Sequence, residues 1–123
     1  MRCIIVDDSP EFVDAARVLL EREGVAIVGV ASTIAQALEL SEAVEKDVTL
    51  IDVNLGDESG FALAELLARS PGAGRAPLVL ISTRSGDDYA DLVELSPAVG
   101  FLPKSDISAQ AILGLIDSTP KGD

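Results

Sequence analysis

Short aliphatic runs alternate along the chain with longer stretches whose apolar residues recur every three or four positions. The first pattern is typical of β-strands and the second of amphipathic helices. Together they predict five strands, which we place at residues 2–6, 25–30, 48–52, 78–82 and 99–103. A helix follows each strand, and we place these helices at residues 10–23, 34–45, 59–69, 87–95 and 107–117.

Local signals mark where the first two helices begin. Ser9 is a predicted N-cap, and Pro10 suits the first helical position, where a missing N–H costs nothing. Thr33 and Gln36 have the spacing of a capping box, in which each side chain accepts a hydrogen bond from the other residue's N–H. Gly24 is the predicted end of the first helix.

The alternation of strands and helices indicates an α/β domain with a parallel sheet and right-handed crossovers. The first, third and fourth strands are almost wholly apolar, as expected where helices cover both faces of a sheet. We predict one domain over residues 1–118 and a frayed C-terminal tail over residues 119–123.

Composition and charge narrow the range of functions. The 123 residues include 9 Lys plus Arg and 21 Asp plus Glu, so we expect no direct binding to nucleic acid or to an anionic membrane. The absence of histidine excludes a Ser-His-Asp triad and a His-ligated metal site. The single cysteine, Cys3, lies in an apolar run, which predicts a buried thiol in a reducing cytoplasm. Asp7 and Asp8 interrupt that run, so we expect no signal peptide.

Polar side chains follow four of the five predicted strands. Asp7 and Asp8 come after the first strand, Asp52 ends the third, Ser82 ends the fourth and Lys104 follows the fifth. The carboxyl ends of parallel strands meet at one edge of the sheet, so we expect these groups to lie together. Each residue by itself could also be an ordinary turn, cap or surface residue, but their joint placement favours a site.

Three carboxylates at one edge would repel one another, at a cost of about 4 kcal/mol for two unit charges in near contact. A cation between them relieves the repulsion, and oxygen ligands without Cys or His select a hard ion such as Mg²⁺ or Mn²⁺. Together with Lys104, this ion could neutralise an incoming phosphoryl group, with the Ser82 hydroxyl as a hydrogen-bond donor. A carboxylate can also act as a nucleophile toward phosphorus.

Four segments of the chain resemble the response-regulator receiver domain of two-component signalling. They are Val6-Asp7-Asp8, Leu50-Ile51-Asp52-Val53-Asn54-Leu55, Leu80-Ile81-Ser82-Thr83 and Gly100-Phe101-Leu102-Pro103-Lys104. The segments occur in the order and with the spacing of that family, and the resemblance covers essentially the whole chain. It implies a flavodoxin-like (βα)5 fold, a three-layer sandwich around a parallel five-stranded sheet of order 2-1-3-4-5.

The resemblance implies roles for residues at the acidic edge. By position, Asp52 corresponds to the phosphoacceptor, Asp8 to a direct Mg²⁺ ligand and Asp7 to a ligand that acts through water. The backbone carbonyl of Asn54 would supply a further metal ligand, and Lys104 would pair with the phosphoryl oxygens.

Other positions correspond to residues that switch or tune members of the family. Ser82 corresponds to the hydroxyl that moves toward the phosphoryl group, and Phe101 to the aromatic residue that turns inward on activation. A plain core phenylalanine is the alternative for Phe101. Asn54, Thr83 and Arg84 stand where the family tunes the lifetime of the phosphoryl group.

Some positions depart from the family's commonest pattern. Gly56 stands where proline is usual, so we expect a looser loop after Asp52. Thr83 stands where a smaller residue is typical, and we expect its branched side chain to narrow access to Asp52.

The function that the resemblance implies is a phosphoacceptor switch. A histidine kinase or phosphotransfer protein would phosphorylate Asp52 in a Mg²⁺-dependent reaction. Output would pass to a downstream protein, which residue types do not identify, through the fourth helix, fifth strand and fifth helix. A phosphorylation-dependent homodimer is a further expectation. Catalysis would be limited to the chain's own phosphorylation and dephosphorylation.

Three other interpretations are disfavoured by the residues themselves. An interaction module that works without phosphorylation would not need the complete acceptor set. A phosphatase of the haloacid-dehalogenase type carries an Asp-x-Asp pattern after its first strand, whereas Asp7 and Asp8 are adjacent here. A flavin or nucleotide site would need glycines after the first strand, where the chain has none.

The chain ends about where a receiver domain ends, which predicts a single-domain regulator. A piece of a longer regulator is the alternative.

Overall fold

The computed structural model of the protein describes residues 1–70, 76–83 and 89–118. Five strands form its main sheet: β1 Arg2–Val6, β2 Ala26–Ala31, β3 Val48–Asp52, β4 Leu78–Ser82 and β5 Gly100–Pro103. They pair in the order β2-β1-β3-β4-β5, and every pair is parallel. The predicted strand order is therefore confirmed.

In the described ranges, five α-helices lie on the two faces of this sheet: α1 Pro10–Arg22, α2 Ile34–Ala43, α3 Gly60–Arg69, α4 Ala90–Leu95 and α5 Ala109–Ser118. A short 3-10 helix, Lys104–Asp106, follows β5. Asn54–Leu55 pairs antiparallel with Glu58–Ser59 between β3 and α3, and we call residues 54–59 the β3–α3 hairpin.

Alternate residues of the strands enter two separate aliphatic cores. Cys3 and Ile5 of β1 pack with residues of α1 and α5, whereas Ile4 and Val6 pack with residues of α2 and α3. Each large aliphatic side chain buried in this way contributes about 1.5–3 kcal/mol. The central strands therefore bury apolar side chains on both faces, and the predicted three-layer sandwich is confirmed.

Several predicted element ends differ from the structure. Thr33 caps α2 as predicted, because its hydroxyl accepts a hydrogen bond from the Gln36 N–H, at 3.1 Å. The capping box, however, is wrong in its second half: the Gln36 Oε1 accepts from the Ser32 N–H, at 2.9 Å. The β3–α3 hairpin was not among the predicted elements. The described part of the fourth helix begins at Ala90, because Tyr89 before it has a non-helical φ of −125°. The predicted start at residue 87 lies outside the described residues.

Cys3 is fully buried, and burial raises the pKa of its thiol to about 12. It is therefore a neutral, inert core residue, as expected from its apolar neighbours. None of the helices in the described ranges is both long enough and apolar enough to cross a membrane. The predicted tail, residues 119–123, lies outside the described residues.

Candidate functional site

Three strand ends bring Asp7, Asp52 and Lys104 together. Val6 of β1 is in register with Ile51 of β3, so the next residues, Asp7 and Asp52, lie side by side. The Lys104 Nζ, just beyond the edge strand β5, lies 2.7 Å from Asp7 Oδ2 and 3.1 Å from Asp52 Oδ2. One ammonium group therefore bridges two buried carboxylates at the carboxyl edge of the sheet.

Asp8 completes a group of three carboxylates. Asp7, Asp8 and Asp52 each offer one oxygen, and these oxygens lie within 4.8 Å of one another. Asp7 and Asp52 are buried, whereas Asp8 is exposed, which leaves a side open to solvent. A donor set made of oxygen alone, held this closely, fits a hard divalent cation such as Mg²⁺.

Burial and neighbouring charges shift the protonation equilibria of the site. Burial raises the pKa of the Asp52 carboxyl, and the charge of Asp7 adds to this; the hydrogen bonds from Asn54 and Lys104 oppose it only in part. Burial lowers the pKa of the Lys104 ammonium, but its hydrogen bonds to Asp7 and Asp52 outweigh that effect and raise it. Lys104 therefore stays charged, while the ionised form of Asp52 is held at a cost.

The backbone after β3 turns back onto the strand and orients the Asp52 carboxylate. The Asn54 N–H donates to Asp52 Oδ1 at 3.1 Å, and the Gly60 N–H donates to the Val53 carbonyl at 2.9 Å. A Cβ atom on Gly60 would lie 2.0 Å from the Asp52 carbonyl oxygen. Only glycine fits at this close approach, so the residue that follows the hairpin is held against the end of the strand.

Gly56 lies at the tip of the β3–α3 hairpin with a φ of +63°. Proline cannot adopt this angle, since its ring holds φ near about −65°. The position that a Cβ on Gly56 would occupy lies 3.4 Å from Asp8 Oδ2, so the hairpin tip borders the exposed carboxylate. The departure from the usual proline thus accompanies an ordered hairpin next to the acidic group.

Sequence reasoning missed the partner of Lys104 on α1. The Lys104 Nζ lies 4.4 Å from the centre of the Phe12 ring. A cation over an aromatic face is attracted to it, so Phe12 helps to hold the ammonium group against the two carboxylates. In the sequence, Phe12 was only one member of an apolar stripe at helical spacing, which carries no signal for this contact.

The predicted switch and tuning residues lie around the site. Ser82 is buried at the end of β4, where it is in register with Pro103, and Thr83 after it is exposed. Arg84 lies outside the described residues. Phe101 is half-buried on the α3 side of the sheet, in the second core.

An aromatic row, which the sequence did not reveal, reaches the site from Phe101. The Tyr89 ring centre lies 6.0 Å from that of Phe101 and 6.0 Å from that of Phe61. The Asn54 Nδ2 donates to the Tyr89 hydroxyl at 3.5 Å. A predicted switch residue and a predicted tuning residue therefore share one neighbour, Tyr89.

Known proteins resemble this chain over most of its length. A family model described as response regulator receiver domain matches residues 3–116. A putative transcriptional regulator of Pseudomonas aeruginosa is 30% identical over 113 residues, which cover 91% of this chain and 53% of that protein. The chain spans about half the length of the curated relatives that it matches first.

Two solved structures show the same fold. The signal receiver domain of the putative response regulator NarL from Mycobacterium tuberculosis has a TM-score of 0.80 at 29% identity, over 96% of this chain and 97% of that one. The response regulator TrrA from Thermotoga maritima, solved in complex with Mg²⁺ and BeF, has a TM-score of 0.78 at 21% identity, over 94% and 96% of the two chains. At that identity the second likeness concerns the fold alone.

Proposed function

The chain belongs to the response regulator receiver domain family, and we propose that it is a switch that accepts a phosphoryl group on Asp52 from a histidine kinase or phosphotransfer protein. The observation that carries this proposal is the bridge of Lys104 Nζ between Asp7 Oδ2 and Asp52 Oδ2, at 2.7 and 3.1 Å. The third acid, Asp8, offers an oxygen within 4.8 Å of those of Asp7 and Asp52, which supports a metal site beside this bridge.

We assign the metal ligands among the three acids and the hairpin. Asp8 and Asp52 would bind Mg²⁺ directly, Asp7 through water, and the Asn54 backbone carbonyl would complete the protein's share. Asp8 is exposed, so the ion could enter from its side. When bound, Mg²⁺ or Mn²⁺ supplies positive charge that neutralises the carboxylates and the phosphoryl oxygens.

Asp52 is the group that would react. One of its carboxylate oxygens attacks the phosphorus of the partner's phosphohistidine, an O–P bond forms, the P–N bond breaks and its electron pair returns to the imidazole nitrogen. The Asn54 N–H, already on Asp52 Oδ1, fixes the rotation of the carboxylate. Lys104 is placed to exchange Asp52 for a phosphoryl oxygen while it keeps its contact with Asp7.

The proposed output uses the surface next to Phe101. Ser82 would donate to the phosphoryl group, and Phe101 would turn inward in the same step, which biases the surface of α4, β5 and α5 between two states. Leu92 and Leu95 of α4 are exposed on this part of the molecule and suit a protein partner. We propose a protein, and not nucleic acid, as the direct partner, and the cytoplasm as the compartment.

Intact-mass measurement after incubation with Mg²⁺ and acetyl phosphate tests this proposal. The wild type is expected to gain the mass of one phosphoryl group, and Asp52→Asn is expected to gain none. Asp57→Asn, which removes an exposed carboxylate from the adjacent hairpin, is the matched control and is expected to react like the wild type. An unmodified wild type, or an equal adduct on Asp52→Asn, would contradict the proposal.

A further inference from the structure

Glu58 connects the β3–α3 hairpin to a distant helix, and we propose that it is a positioning residue for the metal site. Its Oε1 accepts a hydrogen bond of 2.8 Å from the Ile34 N–H, 24 residues away in sequence, at the first position of α2. This inference rests on the proposed function, since it concerns the same Mg²⁺ site. None of the ligand assignments above includes Glu58.

The N-terminus of α2 is built to receive this carboxylate. The helix has no acidic residue in its own first turn, and the Thr33 hydroxyl satisfies only the Gln36 N–H. The Ile34 N–H is left without a partner inside the helix, and a negative charge at a helix N-terminus is favourable. Glu58 supplies both the acceptor and the charge, which ties the hairpin to the edge of the molecule that carries β2 and α2.

The hairpin needs such a tie because its own pairing is short. It contains two residue pairs, Asn54 with Ser59 and Leu55 with Glu58. A two-stranded ladder of this length is not stable by itself. One side of it is fixed by the approach of Gly60 to the Asp52 carbonyl. The contact to Ile34 fixes the other side.

The position of the hairpin matters for the acids. Its first residue, Asn54, donates to Asp52 Oδ1, and its tip, Gly56, borders Asp8 Oδ2. A hairpin released from α2 could shift relative to both carboxylates and to the proposed carbonyl ligand. Residues that hold metal ligands in place typically cost tenfold or more in metal affinity when they are lost, so we expect about a tenfold loss here.

Three variants of the full chain separate position from charge. Glu58→Ala removes the acceptor and the charge, Glu58→Gln removes the charge but keeps an oxygen acceptor, and Asp57→Ala removes an exposed charge from the neighbouring residue. The readout is the Kd for Mg²⁺ by isothermal titration calorimetry, with thermal unfolding in EDTA as the check on folding. We expect about a tenfold weaker Kd for Glu58→Ala, and Kd values within about twofold of wild type for the other two.

The outcomes separate this inference from the proposed function. Wild-type affinity in Glu58→Ala, while the wild type binds Mg²⁺, would overturn the inference alone. Equal losses in all three variants would also overturn it, because they would show an effect of charge and not of position. A wild type that binds no Mg²⁺ would contradict the proposed function and the inference with it.

Discussion

At each end of the sheet a cation contacts two carboxylates, but the two sets of contacts differ in their exposure to water. At the amino end, Arg2 contacts Glu45 Oε2 at 3.0 Å and Asp47 Oδ2 at 3.4 Å. At the carboxyl end, Lys104 contacts Asp7 and Asp52. The Arg2 side chain is 45% exposed and the Lys104 side chain 11%. At each end one cation thus contacts two carboxylates, and water reaches the pair of contacts at the amino end far more freely.

At the carboxyl end, burial outweighs the effect of the cation on the pKa of its carboxylate partner. The hydrogen bonds from the Arg2 backbone and side chain lower the pKa of the Asp47 carboxyl, since water leaves little desolvation to oppose them. At the other end, burial dominates and raises the pKa of Asp52 although Lys104 is in contact. The fold therefore favours the ionised form of the exposed Asp47 carboxyl. It disfavours the ionised form of the buried Asp52 carboxyl, which is the proposed nucleophile.

The two ends should differ most in the free energy of unfolding that is lost when the cation of each end is removed. Lys104→Met should lower the free energy of unfolding by about 3 kcal/mol, because two buried carboxylates lose their counter-charge. Arg2→Met should change it little, because water and salt already screen those pairs. Urea unfolding in EDTA measures both. Similar losses at the two ends would contradict the contrast in burial.

The next test exchanges one carboxylate at each end for its neutral amide. Asp52 has a raised folded-state pKa, so its ionisation costs stability increasingly as pH rises from about 4, the ordinary Asp value, through the folded-state pKa. Asp52→Asn should therefore be more stable than wild type at neutral pH, by about 1–2 kcal/mol, and lose this advantage in acid.

Replacing Asp47 by its amide should change the stability in the opposite direction. Its folded-state pKa is lowered, so its contribution to stability is present above the ordinary Asp pKa and is lost as pH falls through the folded-state value. Asp47→Asn should therefore be slightly less stable than wild type at neutral pH. The measurement is Tm against pH in EDTA for the three proteins. Shifts of the same sign in both variants would refute the comparison.

The smallest effect is expected between the two ends, inside β3. Thr49 is buried, and its Oγ1 has no hydrogen-bond partner among the described residues. Thr49→Val should raise the free energy of unfolding by about 1 kcal/mol, because it removes an unpaired hydroxyl at nearly constant shape. Thr33→Val is the matched control and should lower it by about 1 kcal/mol, since it removes the cap of α2. Thermal unfolding of both variants decides, and a loss in Thr49→Val would show that its hydroxyl has a stabilising task.

Elements buried on both faces were predicted to the residue. The bounds of β1, β3 and β4 agree with the sequence prediction, because each is a mostly aliphatic run that must be covered on both sides. The bounds of β2, α2 and α5 differ by one or two residues, since ends depend on local hydrogen bonds. The β3–α3 hairpin gave no signal, because two residue pairs are too few to produce an alternating pattern.

The acids and the lysine could be named from the sequence because strand ends in a parallel sheet share one edge. Their neighbours could not. Three contacts join residues from distant parts of the chain: Lys104 with Phe12, Asn54 with Tyr89, and Ile34 with Glu58. Each side chain has an ordinary role in its own segment, so nothing in the linear pattern distinguishes it.

The order of apolar and polar residues alone determined the layered fold and the edge at which charged groups collect, because burial depends on periodicity that is local in the chain. The tertiary structure alone decided that water reaches Arg2 and hardly reaches Lys104. Access to water is a property of everything packed around a group. For that reason a cation in contact with two carboxylates is a surface contact at one end of the sheet and part of a candidate reactive site at the other.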